Sequence, residues 1–355
     1  KGEVMNFIIT LIEFIIILGV TVLIHEAGHF YFAKKAGIYV YEFSIGMGPK
    51  LFSWKRKNDE TEYFIRWIPI GGYVQMAGEE IEPDENIPKE KRMQSKTWFQ
   101  KFMTVIAGVM MNFILAIVLL FIIALVAGSQ SLIPTIGEVE KNSPAESAGL
   151  EKGDQILSIN GKDIITSDQF VLEIQVNGKK TAKIEVEHKN GEQELLSVKP
   201  EKIKDEDGNT IYQYGMALDG TREYGLLASL KYAFGKTFSL LHQMVLIIFY
   251  LCTGALSLNN LAGLVGIFSL VGESAAAGFI NLVYLVAYLS INVGFINLLP
   301  LPAFDGGRIL FMIIEKIKGS PVSPRIENWI HSIGFILLML LMIFVTYNDI
   351  LRLFS

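Results

Sequence analysis

One cysteine, Cys252, stands in 355 residues. That excludes an internal disulfide and a cysteine-rich zinc site. Charge of one sign is lacking too. The chain has 31 Lys and Arg against 36 Asp and Glu, a net charge of −5, and nothing points to nucleic acid as a partner. Proline is sparse, with 11 residues and none between 5 and 35. Apolar residues are in excess: 51% of the chain is hydrophobic and the mean hydropathy is +0.40. This excludes an ordinary soluble protein and implies an integral membrane protein, in contact with the lipid bilayer, that carries a soluble part.

Residues 5–36 read as one helix and a first transmembrane span, too long for a signal-peptide core. Inside it, residues 22–32 are VLIHEAGHFYF. Residues four apart share a helix face, so His25 and His29 present two imidazoles to one point. HExxH on a helix is a zinc-protease pattern in which two His hold the metal and the Glu, here Glu26, is general base for a water. Ionisable groups at bilayer depth cost roughly 2.5–3.5 kcal/mol each on insertion scales, so three within five residues call for a ligand.

Residues 37–97 turn polar. Residues 51–57 and 61–68 alternate as two strands around Asn58 and Asp59, between Gly46, Gly48 and Pro49 on one side and Pro69, Gly71 and Gly72 on the other. The hairpin is either a plain connector or a membrane-associated edge that holds an extended substrate by strand addition, with Tyr63 and Ile65 as candidate contacts. Residues 81–90 form an acidic, proline-containing loop. Lys34, Lys35, Lys50, Lys89, Lys91, Arg92, Lys96 and Lys101 surround this region, and the positive-inside rule puts it in the cytoplasm. His25 precedes Lys34 by nine residues, so at about 1.5 Å per residue a metal would lie roughly 13 Å inside that boundary.

A second span occupies 98–128. Its Asn112 is either a helix–helix hydrogen bond or a group near the metal. Residues 130–203 alternate short β runs with Gly and Pro punctuation, and a short helix fits 168–175. Pro144, Ala145, Ala148-Gly149-Leu150, Gly153-Asp154 and Ile159-Asn160-Gly161 resemble a circularly permuted bacterial PDZ domain, present once. The resemblance implies strand-addition binding of an extended peptide, with Ile136 and Gly137 as candidate groove residues. With two spans before it, the domain is expected to be extracytoplasmic.

Residues 204–278 are expected to be a polar connector followed by interfacial or re-entrant helices. Residues 225–257 could span, but Lys231, Lys236 and His242 favour a helix on the outer interface, with His242 at the surface. The third transmembrane segment, 279–310, ends in NLLPLPAFDGG. Pro300 and Pro302 break its helix, which leaves Asp305 on irregular backbone at membrane depth, tolerated only inside protein or along a cavity. A zinc site with two His needs a further ligand, and Asp305 needs a partner; the alternative is an Asp capping the next helix. Asn297 could donate to a substrate carbonyl or oxyanion or simply pack. Arg308, Lys316, Lys318 and Arg325 mark the next loop cytoplasmic. A fourth span, 326–350, carries His331 near its start. The expected fold class is a polytopic α-helical membrane protein of about four transmembrane helices, with a membrane-associated β-hairpin and one inserted extracytoplasmic PDZ domain.

Together, HEAGH in the first span, GMGP and GGYVQM around the hairpin, the PDZ-like region and NLLPLPAFDGG resemble the site-2 family of intramembrane metalloproteases. The likeness is to its bacterial RseP, RasP and Eep group and, with one PDZ copy, to the RasP and Eep branch. It implies Zn2+ held by His25, His29 and Asp305, Glu26 as catalytic base, and Asn297 and Asn112 as polar partners. It also implies a bacterial inner or plasma membrane location with the site toward the cytoplasmic side. The substrate would be a single-pass membrane protein, an anti-sigma factor or a signal-peptide remnant, cut in its membrane segment after an upstream site-1-type protease has acted. Gly108-Val109 and Gly263-Leu264 stand where the family often has Gly-Pro, and Arg308 where His is frequent. Two other classes remain open: a zinc protease trimming extramembrane segments, and a non-catalytic PDZ scaffold.

Overall fold

The architecture comes from a computed structural model that describes residues 2–79, 86–204, 210–320 and 322–352; most of the acidic loop expected at 81–90 lies outside them. In chain order the elements are α1 (Gly2–Lys35), β1 (Val40–Lys55), β2 (Glu62–Met76), α2 (Trp98–Ala127), β3 (Ser129–Gln130), β4 (Ile136–Val139), α3 (Pro144–Ser147), β5 (Gln155–Ile159), β6 (Lys162–Asp163), α4 (Ser167–Asn177), β7 (Ala182–Glu187), β8 (Gln193–Val198), β9 (Glu201–Lys204), β10 (Thr210–Gln213), β11 (Met216–Leu218), β12 (Arg222–Glu223), α5 (Leu226–Thr253), α6 (Leu264–Ala276), α7 (Phe279–Leu298), α8 (Asp305–Lys318) and α9 (Pro324–Arg352). They form two compact units, one of Lys1–Leu119 with Leu258–Ser355, the other of Leu120–Ser257.

In the first unit the break-free apolar run becomes the 34-residue α1. Its early part packs through Phe14 and Ile17 on Val271 of α6 and Leu285 and Leu289 of α7. Its later part shares a second cluster, with Ala33 against Val40, Val74, Met76, Val105, Ile309 and Met312. That cluster draws the β element, α2 and α8 around the segment that carries the HExxH residues. Asp349 of α9, almost fully buried, accepts from the N–H groups of Gly263 (2.8 Å) and Gly266 (2.9 Å), two of the donors that the start of α6 leaves open. Removing such a cap costs about 0.5–2 kcal/mol. Asp349→Ala should therefore lower the unfolding midpoint of the solubilised protein by a few degrees, while Asp349→Asn, which keeps an acceptor, should lose less.

The hairpin is longer than its sequence indicates, and it bends. Phe43 of β1 lies opposite Val74 on one side and Tyr63 on the other, and Ile45 lies opposite Gly72 and Ile65. Trp54 also pairs with Tyr63, and Phe52 with Ile65. Tyr63 and Ile65 therefore have strand neighbours on both sides, which corrects the expectation that they form a substrate-facing edge. The outer position belongs to residues 72–76, which pair with β1 alone among the described residues.

In the second unit a four-stranded sheet, ordered β6-β5-β7-β8, packs Ile156, Ile159, Ile184, Val186, Leu196 and Val198 against Phe170 of α4. The sequence places this unit's end at 203. Instead, Tyr214 enters the same core and β11 pairs with β4, Met216 opposite Val139, so part of the expected polar connector completes the unit. Helix α5 is continuous and holds α4 through its polar face: Lys236 Nζ and Ser239 Oγ each lie 2.6 Å from an Asp168 carboxylate oxygen, and Tyr250 and Lys162 both bond Glu173. His242 stacks on Phe238.

Among the described residues five helices are long and apolar enough to cross a membrane: Val4–Lys35, Trp98–Ala127, Leu226–Thr253, Phe279–Leu298 and Trp329–Arg352. Four were expected. The fifth candidate is α5, whose lysines precede an apolar run from Val245 to Cys252 and leave its average hydropathy the lowest of the five, at 1.4.

Candidate metal centre

His25 and His29 project from one face of α1, and Asp305 arrives from the start of α8. His25 Nε2 lies 3.0 Å and His29 Nε2 3.2 Å from Asp305 Oδ2, and the two Nε2 atoms are 3.1 Å apart. Both imidazoles are buried. Among the described residues these three make up the one group of His, Cys, Asp and Glu donors close enough together to hold a metal ion.

The tautomers suit a metal. His29 Nδ1 lies 2.8 Å from the Thr104 carbonyl oxygen, which can only accept, so Nδ1 carries the proton and Nε2 a lone pair. His25 Nδ1 lies 3.3 Å from the side-chain amide of Asn112, whose Oδ1 is buried without a hydrogen bond. A half-turn of that amide lets Oδ1 accept from Nδ1–H and frees His25 Nε2 as well. Asp305 Oδ2 is itself buried and makes no hydrogen bond. Three lone-pair atoms thus converge with no proton between them, an arrangement a cation relieves. In a tetrahedral zinc site with bonds of about 2.0–2.1 Å, ligand atoms sit about 3.3 Å apart, close to the spacing here. Of the two roles open for Asn112, the geometry favours orienting His25.

Room for this cluster comes from absent side chains. A Cβ on Gly108 would fall 2.3 Å from His29 Nε2 and 2.8 Å from His25 Cε1. One helix over, a Cβ on Gly28 would fall 2.5 Å from the Ala107 carbonyl oxygen. Each glycine lets α1 and α2 approach at the level of the imidazoles.

Asp305 does not lie on irregular backbone, as the two prolines suggest. The break ends at Phe304, and Asp305 opens α8. The turn before it is tight. Ala303 has φ 73°, a left-handed conformation that costs a non-glycine residue of order 1 kcal/mol or more, and its N–H donates to His331 Nδ1 at 3.1 Å. A Cβ on Gly306 would meet the Leu299 carbonyl oxygen at 2.2 Å, and one on Gly307 the Leu301 carbonyl oxygen at 2.4 Å. The glycine pair thus lets α8 start directly under the turn. His331, expected at an interface, supports this turn, and no local signal in α9 marks it for that role.

A cavity of about 470 Å3 opens on the three donors. Glu26 and Asn297 line it, as do Gly71, then Gly72, Tyr73 and Val74 of the outer strand, and Glu79 and Arg308. Tyr63 and Ile65 are not among its lining. Gly72 stands next to Glu26, since a Cβ there would lie 3.7 Å from Glu26 Cγ. In the second unit Ile136 is a core residue, with its N–H bonded to Asp154 and its carbonyl to Gly153, so it cannot line a groove. Gly137 borders a surface depression of about 680 Å3 with Glu138, Glu146 and Lys152.

Candidate spans, two imidazoles, a carboxylate ligand and an adjacent glutamate define a membrane zinc metalloprotease. The chain belongs to peptidase family M50, which it matches over residues 13–341, and is a site-2-type zinc metalloprotease. It is 34% identical to the Bacillus subtilis protein named regulator of sigma-W protease RasP, over 98% of this chain and all of that one. It is 35% identical to the zinc metalloprotease RasP of Shouchella clausii, over 98% of this chain and all of the relative. It is 37% identical to the probable protease Eep of Enterococcus faecalis, over 97% and 99%.

Proposed function

We propose that this zinc metalloprotease hydrolyses a peptide bond within the membrane segment of a single-pass membrane protein, an anti-sigma factor or a signal-peptide remnant, after an upstream site-1-type protease has shed its outer part. The carrying observation is the position of the donors. The two imidazoles lie on an apolar helix, several residues before its basic end at Lys34 and Lys35, and beside a strand with one edge unpaired among the described residues. A bond reaching them does so at membrane depth, on the cytoplasmic side by the distribution of basic residues. The name of the Bacillus subtilis relative points the same way, toward control of a sigma factor.

A helix hides its peptide bonds in internal hydrogen bonds, so the substrate must unwind before it is cut. Residues 72–74 offer backbone donors and acceptors to the unwound segment and fix its direction and register. Bound zinc supplies Lewis-acid activation of a water and of the scissile carbonyl. Glu26 removes the proton from the attacking water and delivers it to the leaving amine. Asn297 donates to the carbonyl oxygen as negative charge builds on it. His25 and His29 stay neutral at Nε2 because Asn112 and Thr104 hold their other nitrogens.

The second unit is read as an extracytoplasmic PDZ domain. Its peptide-accepting edge is β11, which pairs with β4 alone among the described residues, rather than Ile136 and Gly137. Helix α5 is read as interfacial, since its lysine and tyrosine face is engaged with α4.

The test uses purified protein in detergent with a tagged single-span reporter, and mass spectrometry to locate the cut. Cleavage inside the apolar segment supports the proposal. Cleavage confined to the flanking polar segments would instead make this a trimming protease, and a purified protein without zinc would favour a scaffold.

A further inference from the structure

Two groups lining the cavity have no part in the chemistry above. Arg308 lies one helical turn after Asp305 on α8, and its Nη1 donates to Glu79 Oε1. Glu79 follows the outer strand of the β element across a short turn. Ala77 N–H bonds the Tyr39 carbonyl, Gly78 has φ 77°, and Glu79 Oε2 accepts weakly from Met76 N–H at 3.4 Å. The Glu79 carboxylate is mostly buried and the Arg308 guanidinium half-exposed toward the cavity.

We propose that the Glu79–Arg308 ion pair is a positioning clamp. It fixes the outer strand, residues 72–76, along its own axis relative to Asp305, and so selects which substrate bond is cut. This rests on the strand-addition reading above. The strand and α8 already share one apolar cluster, to which they contribute Val74 and Met76, and Ile309 and Met312. Such contacts are apolar and non-directional, and they resist separation more than sliding. The ion pair joins one point on the strand's end to one point on the metal-bearing helix, and its hydrogen bond is directional. Both partners of the ion pair line the cavity, where sliding would be felt most. A substrate paired to the strand inherits that placement. A slip of one residue would turn every substrate side chain to the opposite face. The tolerated error is therefore two residues, a shift of about 6.8 Å along an extended chain.

The experiment compares wild type, Glu79→Gln, Arg308→Met and the charge-swapped double variant Glu79→Arg with Arg308→Glu, each assayed on the same reporter. Cut positions are read by mass spectrometry, with kcat and KM, zinc content and unfolding midpoint measured alongside. Wild type is expected to cut mainly one bond. Each single variant should keep its zinc, add cuts two residues to either side, and lose about tenfold in kcat/KM, mostly in kcat, because a misregistered substrate binds but is not aligned. The double variant should return cleavage to the single bond. Single variants that keep one cut position and wild-type kcat would overturn the clamp. So would single variants that lose zinc in step with activity, because Arg308 would then act on the metal site and not on register. Whether the wild-type cut falls in the apolar segment tests the proposed function. How many bonds the variants cut tests the clamp, wherever the wild-type cut lies.

Discussion

Glu26→Gln should lower kcat by about 10²–10⁴-fold, the range for loss of a positioned general acid–base, while zinc content and KM stay near wild type. The substitution keeps the shape of the side chain, and so its packing beside Gly72. It leaves the donor set intact, since the metal-binding atoms belong to His25, His29 and Asp305. Only the ability to take up and return a proton is removed. That ability is used in the transition state and not in the bound ground state, so the loss falls on kcat and equally on kcat/KM. Measured zinc content separates this result from that of a ligand variant: Asp305→Ala should lose metal and activity together. A Glu26→Gln enzyme that kept a tenth or more of its rate would require another base among the cavity-lining groups.

The metal residues were readable because they rest on short-range rules. Four-residue spacing puts His25 and His29 on one helix face, and an apolar setting makes their polarity costly. Asp305 was readable for a different reason: an acid at membrane depth has to be buried in protein or line a cavity, and it lines one although it opens α8 and does not lie on irregular backbone. What the residues left open depended on contacts distant in sequence. Alternation identifies a strand but not its neighbours, so Tyr63 and Ile65 looked like edge residues until the fold of β1 placed Trp54 and Phe52 on one side of them and Phe43 and Ile45 on the other. Asn112 could have served any helix contact, and its choice of His25 is set by how α2 crosses α1. Tyr214 and Met216 read as connector because their partners lie far upstream in β4 and the core around it. In α5, Lys236 marked the helix as interfacial, and its partner Asp168 is on another helix. A charge pattern reports that a face is polar, but not whether water or a carboxylate receives it.

Gly108→Ala should reduce zinc affinity by about 10–100-fold, the range seen when groups that orient ligands are disturbed, with activity at limiting zinc falling in proportion. Helix propensity alone gives the opposite sign, because Ala is better than Gly in a helix interior by roughly 1 kcal/mol. The decision lies in the space. The added methyl would stand 2.3 Å from His29 Nε2, 2.7 Å from His29 Cε1 and 2.8 Å from His25 Cε1, well inside van der Waals contact. None of these atoms is the free end of a flexible chain. The His29 ring is tied to Thr104 and the His25 ring lies against Asn112, both on α2 itself, so a shift of the helix moves the methyl and the ring anchors together. The helices cannot simply close elsewhere, since Gly28 already sets their contact against Ala107. The strain therefore falls on ring orientation, which aims the two Nε2 lone pairs at one point. The apoprotein should keep its unfolding midpoint or gain slightly, while the stabilisation that added zinc gives to wild type shrinks in the variant. A Gly108→Ala protein with full zinc affinity would mean that the crossing of α1 and α2 yields easily, and that the missing Cβ is not what makes room for the metal-binding rings.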